Sequence, residues 1–221
     1  MNAPDADSPM ARALGAQWAQ LHPTLQAHHA GGAIHEVGAM DVAFPRWMAP
    51  LLWLLQWLGA LVHRAEPQVH TVVDKHSRNG RQTFDRTLTY ADGQVLRFNS
   101  TWVAEPGGRL VEYVNPWLAL ELAPKVQGDT LHCEGVCFWI GKGQLRLRLS
   151  ERWLLGHTVI DENALDARRY AMDFRMVHPW FGQVFRYAGV FQIDEHAARH
   201  RGTPLVAAIP ITLASCQDAS P

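Results

Sequence analysis

Two periodicities divide the chain. From Met10 to Ala30 apolar residues recur at spacings of three and four (Leu14, Trp18, Leu21, Leu25), the signature of one helix face. Pro23 removes a backbone donor and crowds the turn before it, so two short helices are predicted, ended by Gly31 and Gly32. A short strand is predicted over about 34–42. From Gln68 onward the period becomes two, which predicts strands over 68–76, 81–90, 94–104, 109–114, 118–126, 130–139, 144–149, 157–165, 170–178 and 183–193. Asn79-Gly80, Asp92-Gly93, Gly107-Gly108 and Gly128-Asp129 fall between them as turn signals. Roughly ten short strands at hairpin spacing predict an α+β chain, mainly β. Its core is a curled antiparallel sheet or barrel behind N-terminal helices. Residues 1–9 are expected to be a disordered leader, 10–200 a single domain and 201–221 an extension. Within the tail, 195–200 reads as a short helix and 205–213 as one more strand or an arm.

Between the two regimes lies an apolar run from Trp47 to Val62. Pro50 suits a first helical turn and His63-Arg64 a last one. The run is slightly short of the ~17–25 residues of a membrane span, and Gln56 interrupts it. A helix apolar on nearly all sides is usually buried, so its expected place is the concavity of the sheet. The alternative is a helix lying on a membrane surface.

Strand parity separates inside from outside. Tyr170, Met172, Phe174 and Met176 share one face, as do Phe185, Tyr187, Phe191 and Ile193, and both faces are expected inside. Leu145, Leu147 and Leu149 are expected to form a third inner face, opposite Arg146 and Arg148. Three charges break the pattern by standing on apolar faces: Arg86 with Phe84 and Leu88, Glu112 with Leu110 and Val114, Glu162 with Ile160 and Ala164. Buried charge is costly unless paired, so these residues either pair with one another or meet a polar ligand.

Hydrophobic residues make up 48% of the chain and charged residues 19%, which is globular composition. With a formal net charge of -1 the chain lacks the basic footprint of a nucleic-acid binder. Cys133 and Cys137 fall on one predicted strand, where four residues span roughly 13 Å, beyond disulfide reach. With Cys216 they are expected to be free thiols in a reducing compartment. No basic, apolar N-terminal leader is present, and the expected location is the cytoplasm.

A run of residues in order resembles the bacterial proteins grouped as domain of unknown function 4166. It begins with Leu14, Gly15, Trp18, Leu21, His22, Pro23, Leu25 and His28. It continues through Gly80 to Arg86, Leu110 to Glu112, Glu162, Pro179 to Gly182, and Tyr187 to Gly189. Phe84 stands where the family usually has Trp, and Tyr90 where a strand usually ends in Phe-Gly. The resemblance carries no catalytic residues over. It implies only association with dehydrogenase-like domains, hence a metabolic or lipid-related partner.

Twelve His invite a metal, yet His22, His28 and His29 lack an acidic or Cys partner at ligand spacing, as do His196 and His200. No metal site is therefore expected, and no cofactor is specified. Nucleophile motifs are absent, while Glu112 and Glu162 could serve an enzyme acting on an apolar substrate as acid and base. The leading expectation is a hydrophobic small molecule or lipid held between the sheet and the Trp-rich helix. Trp53, Trp57, Arg86, Glu112, Glu162, Phe174 and Tyr187 are the candidate ligand-contacting residues. The other class is an interaction module with peripheral membrane contact.

Overall fold

The computed structural model describes residues 8–57, 61–142 and 145–194. Helices α1 (Pro9–Leu14) and α2 (Pro23–His28) flank a 3-10 turn over Gly15–Gln20. The strands are β1 (Ala33–Ala43), β2 (Glu66–Arg78), β3 (Arg81–Thr89), β4 (Val95–Glu105), β5 (Arg109–Asn115), β6 (Leu118–Gln127), β7 (Thr130–Lys142), β8 (Leu145–Leu149), β9 (His157–Ala164), β10 (Arg169–His178) and β11 (Gly182–Ile193). Helix α3 (Ala49–Trp57) joins β1 to β2, and α4 (Glu151–Leu154) joins β8 to β9.

Antiparallel pairing runs from β1 through β7, passes to β9, β10 and β11, and returns from β11 to β1. Ten strands thus close into a barrel, and closure removes the open edges a curled sheet would expose. The alternation that predicted the strands also sorts their side chains. On β2, Val69, Thr71, Val73 and Lys75 are buried while His70 and His76 are exposed. Asn79 and Gly80, both at positive φ (54° and 69°), make the two-residue turn between β2 and β3, whose backbone twist matches that of the flanking strands.

The two ends of the barrel are closed differently. At one end α1 packs against β4, β5 and β6, and α2 against β9 and β10. Ser8 fixes this end by accepting from the Ala11 amide (3.1 Å) and donating to the His29 carbonyl (2.6 Å), so it caps α1 and ties it to the end of α2. Thr24 donates to the Asp166 carbonyl in the β9–β10 turn (2.6 Å). At the other end α3 crosses the mouth.

Four expectations need correction. Ser8 and Pro9, counted in the leader, are buried and begin α1; residues 1–7 lie outside the described residues. The Trp-rich helix is shorter than 47–62, and it is not buried on all sides. Only Leu52 is fully buried, while Leu51, Trp53, Leu54 and Trp57 face solvent, so it caps the barrel as a lid apolar on its outer side as well. Strand β8 pairs with β7 alone and stands outside the ring, leaving Leu145 and Leu147 exposed where an inner face was expected. Helix α4 was not foreseen. The expected helix at 195–200 and strand at 205–213 lie outside the described residues.

Candidate functional site

Five elements bring ionisable groups together at the α2 end of the interior. His28 and His29 stand at the end of α2, Glu36 on β1, Lys75 on β2, Glu162 on β9 and Tyr170 on β10. All six are buried. Lys75 Nζ donates to Glu36 Oε1 (2.9 Å) and to the His28 carbonyl (2.8 Å). His28 Nδ1 lies 2.6 Å from the same Glu36 oxygen, and the Tyr170 hydroxyl donates to the other (2.8 Å). His29 Nε2 donates to Glu162 Oε2 (2.7 Å), and His28 Nε2 lies 3.6 Å from Glu162 Oε1.

Burial disfavours charge on each group, and the neighbours decide the outcome. Burial opposes ionisation of Glu36, but His28 and Lys75 overcome it and hold the carboxyl at about 2. Glu162 is likewise held well below the usual carboxylate range by the two imidazoles, against its own burial. Burial opposes the charge on His28 too, yet the Glu36 carboxylate, helped by Glu162, raises its pKa. His29 goes the other way: burial dominates and lowers it to about 4, so it is a neutral imidazole near neutral pH. Its Nδ1 has no hydrogen-bond partner.

Above this floor the interior turns apolar. A cavity of about 30 Å³ is lined by floor groups together with Arg86, Glu112 and Tyr187. A second, of about 50 Å³, is lined by Glu112 and Tyr187 and then by Leu55, Phe98, Leu120 and Phe174, beneath α3. Tyr187 stacks on Phe174, with ring centroids 4.6 Å apart. At the level the cavities share, Arg86 donates to Ser100 Oγ (2.8 Å) and lies 3.7 Å from Glu112.

Of the residues expected to meet a ligand, Arg86, Glu112, Glu162, Phe174 and Tyr187 line this interior. Trp53 and Trp57 do not: they are 63% and 78% exposed on the outer side of α3. Glu162 is held by His29 rather than Arg86, so the inward carboxylates Glu112 and Glu162 have different partners. Sequence reasoning missed Glu36, Lys75 and Tyr170 as members of a site. The signal was present, since Glu36 shares strand parity with Ile34 and Met40, and Lys75 with Val69 and Val73.

The chemistry of the floor is that of proton exchange. Two imidazoles of opposite shift, a lysine and a phenol surround two carboxylates, so the groups that can take or give a proton stand within hydrogen-bond reach of one another but differ widely in proton affinity. His28, His29 and Glu162 also bring donor atoms within 4.8 Å of one another, the two-histidine, one-carboxylate set that can hold a divalent metal. Lys75 Nζ, however, lies 3.3 Å from His28 Nε2, so an ammonium already stands beside these donors.

The family model described as "Domain of unknown function (DUF4166)" matches residues 21–191. None of the curated proteins compared matches the sequence. Among solved structures, the dehydratase domain (DH) of a mycocerosic acid synthase-like (MAS-like) PKS aligns over 84% of this chain and 81% of that chain. The identity is 10% and the TM-score 0.18, too low to argue from.

Proposed function

The chain belongs to the domain of unknown function family DUF4166, and we propose that its barrel binds a small amphipathic molecule, apolar part beneath α3 and polar part against Arg86 and Glu112. The observation that carries this reading is the graded interior: two cavities with Glu112 and Tyr187 in both linings, one walled by leucines and phenylalanines, the other by ionisable groups. Such a pairing of apolar walls with a few convergent polar groups is what ligand sites present. Size narrows the class. The apolar cavity, at about 50 Å³, is a third of the ~150 Å³ that takes up benzene in an engineered core. A molecule as large as benzene does not fit it as it stands, so a six-carbon chain enters only as α3 lifts away.

Binding is tested with hexan-1-ol in isothermal titration calorimetry. Saturable binding is expected, and Leu55→Asp should weaken it, because it puts a charge into the apolar lining. A linear, unsaturable response in folded protein would sink the reading.

A second reading, contact with a lipid surface, is favoured by one observation. Trp47, Leu51, Trp53, Leu54 and Trp57 are exposed around α3, and exposed Phe181, in the β10–β11 turn, meets Trp47 with ring centroids 5.2 Å apart. Aromatic and leucine side chains on one patch suit the headgroup region of a bilayer. Among the described residues no helix is long and apolar enough to cross one. Co-sedimentation with anionic liposomes, lost in Trp53→Ser/Trp57→Ser, is the expected outcome; no co-sedimentation would exclude it.

A further inference from the structure

Arg86 and Glu112 face the interior with bonding capacity left over. Their side chains are only 11% and 14% exposed. A guanidinium carries five N–H donors, yet among the described residues Arg86 makes a single hydrogen bond, to Ser100. Its separation from Glu112, 3.7 Å, is an ion pair without a hydrogen bond. The guanidinium lies over the rings of Phe84 (4.8 Å) and Phe98 (4.9 Å), which hold it by its faces and leave its edge free. Glu112 accepts no hydrogen bond from any described residue. Both side chains line the polar cavity, and Glu112 the apolar one as well.

Charge decides what can complete this pair. The interior holds three carboxylates (Glu36, Glu112, Glu162) against Lys75, Arg86 and, when protonated, His28. Their sum is zero with His28 protonated and one negative charge with it neutral. In either state an anionic ligand adds uncompensated charge to a buried site, which low-dielectric surroundings penalise strongly. A neutral group that both accepts and donates meets both residues without that penalty.

We propose that the ligand's polar head is uncharged and pairs an acceptor, for Arg86, with an N–H or O–H donor, for Glu112, and that the site rejects carboxylates. A primary carboxamide, or a hydroxyl beside a carbonyl, has this chemistry. The proposal rests on the ligand-binding reading above.

Hexanamide and hexanoate differ in little but head-group charge and donor capacity, and hexan-1-ol supplies the same chain with a minimal head. At about pH 8 hexanoate is ionised. Titration calorimetry is expected to show hexanamide bound about tenfold or more tighter than hexanoate. In Glu112→Gln, which removes one negative charge from the pair, the ratio should fall or invert. Equal or tighter binding of hexanoate to the native protein overturns the proposal while leaving the pocket intact. So does an unchanged ratio in Glu112→Gln. Should that variant not fold, the ratio in the native protein decides alone. Binding of none of the three overturns the pocket reading, and this proposal with it.

Discussion

Arg86 shows how a single residue can be legible from the chain. Its parity with Phe84 and Leu88 required it to point inward, and its side chain is 11% exposed, with Glu112 and Ser100 as partners. Which partner it takes was not legible, because that depends on which strands the barrel sets side by side. Glu112 on β5 faces Trp102 on β4, which faces Gln82 on β3, so Arg86 meets Glu112 diagonally across β4 and not through direct strand pairing. Arg86→Leu should strand the Glu112 carboxylate and cost about 3 kcal/mol. Arg148→Leu, on the outer strand β8, should cost no more than about 0.5 kcal/mol. Urea unfolding of both variants checks the difference, and equal midpoints would place Arg86 in solvent. The cysteines give a second outcome at this scale. A register shift between Glu121 and Leu122 bulges β7 between Cys133 and Cys137. Cys133 packs in the core while Cys137 meets Glu121 and Arg148. Both are free and buried, so intact mass after alkylation should show no bridge between them in the unfolded chain and slow labelling in the folded one.

At the scale of elements, strands were readable and lids were not. A strand's alternation reflects the two sides of a sheet and survives any choice of neighbours. The apolar run at 47–62 gave no alternation from which to choose a side, and burial was expected for all of it. In the fold only the Leu52 and Leu55 side of α3 reaches the barrel, since the mouth accepts a single helix face. Trp53→Ala and Trp57→Ala should therefore leave hexan-1-ol affinity within about twofold of native, and both indoles should be open to iodide quenching. Strand β8 misled for a related reason: Leu145 and Leu147 alternate like core residues, but its only partner is the far half of β7. The seam between β1 and β11 makes a sharper demand. Gly189 lies opposite Met40, where a Cβ would overlap the Ala39 carbonyl oxygen. Gly189→Ala should push the two strands apart and destabilise by about 1–3 kcal/mol, read as a lowered Tm.

For the whole molecule the buried floor sets the response to acid. An unfolded His29 takes up a proton near its ordinary 6.5, whereas the folded one resists until about 4. The unfolded state thus binds more protons in that window, and stability falls as pH drops through it. Glu36, held at about 2 against an ordinary 4.5, acts in the same direction at lower pH, and Glu162 adds to it. His28 opposes them: its raised pKa contributes stability that is full below 6.5 and is lost as pH rises through the folded value. Tm should decline steadily from about pH 6.5 to 4 and more steeply below that. His29→Gln should flatten the upper part of the decline. A native Tm unchanged down to about pH 4 would show that His29 carries a charge when folded. The inward parity of Glu36, Lys75 and Glu162 was legible, but their meeting was not, because the six floor residues come from five separated elements.

The β1–β11 pairing also bears on how the chain is made. It joins residues 36–43 to 186–193, so the ring cannot shut until nearly all the described sequence exists. On a ribosome, Glu36 and Lys75 emerge long before Glu162 and Tyr170 arrive to share their charge. Until then β1 has a free margin open to pairing with any exposed strand, including one from a neighbouring nascent chain. The ring, whose strands all find two partners once β11 is in place, is therefore most vulnerable to clumping in the interval before β11 is translated.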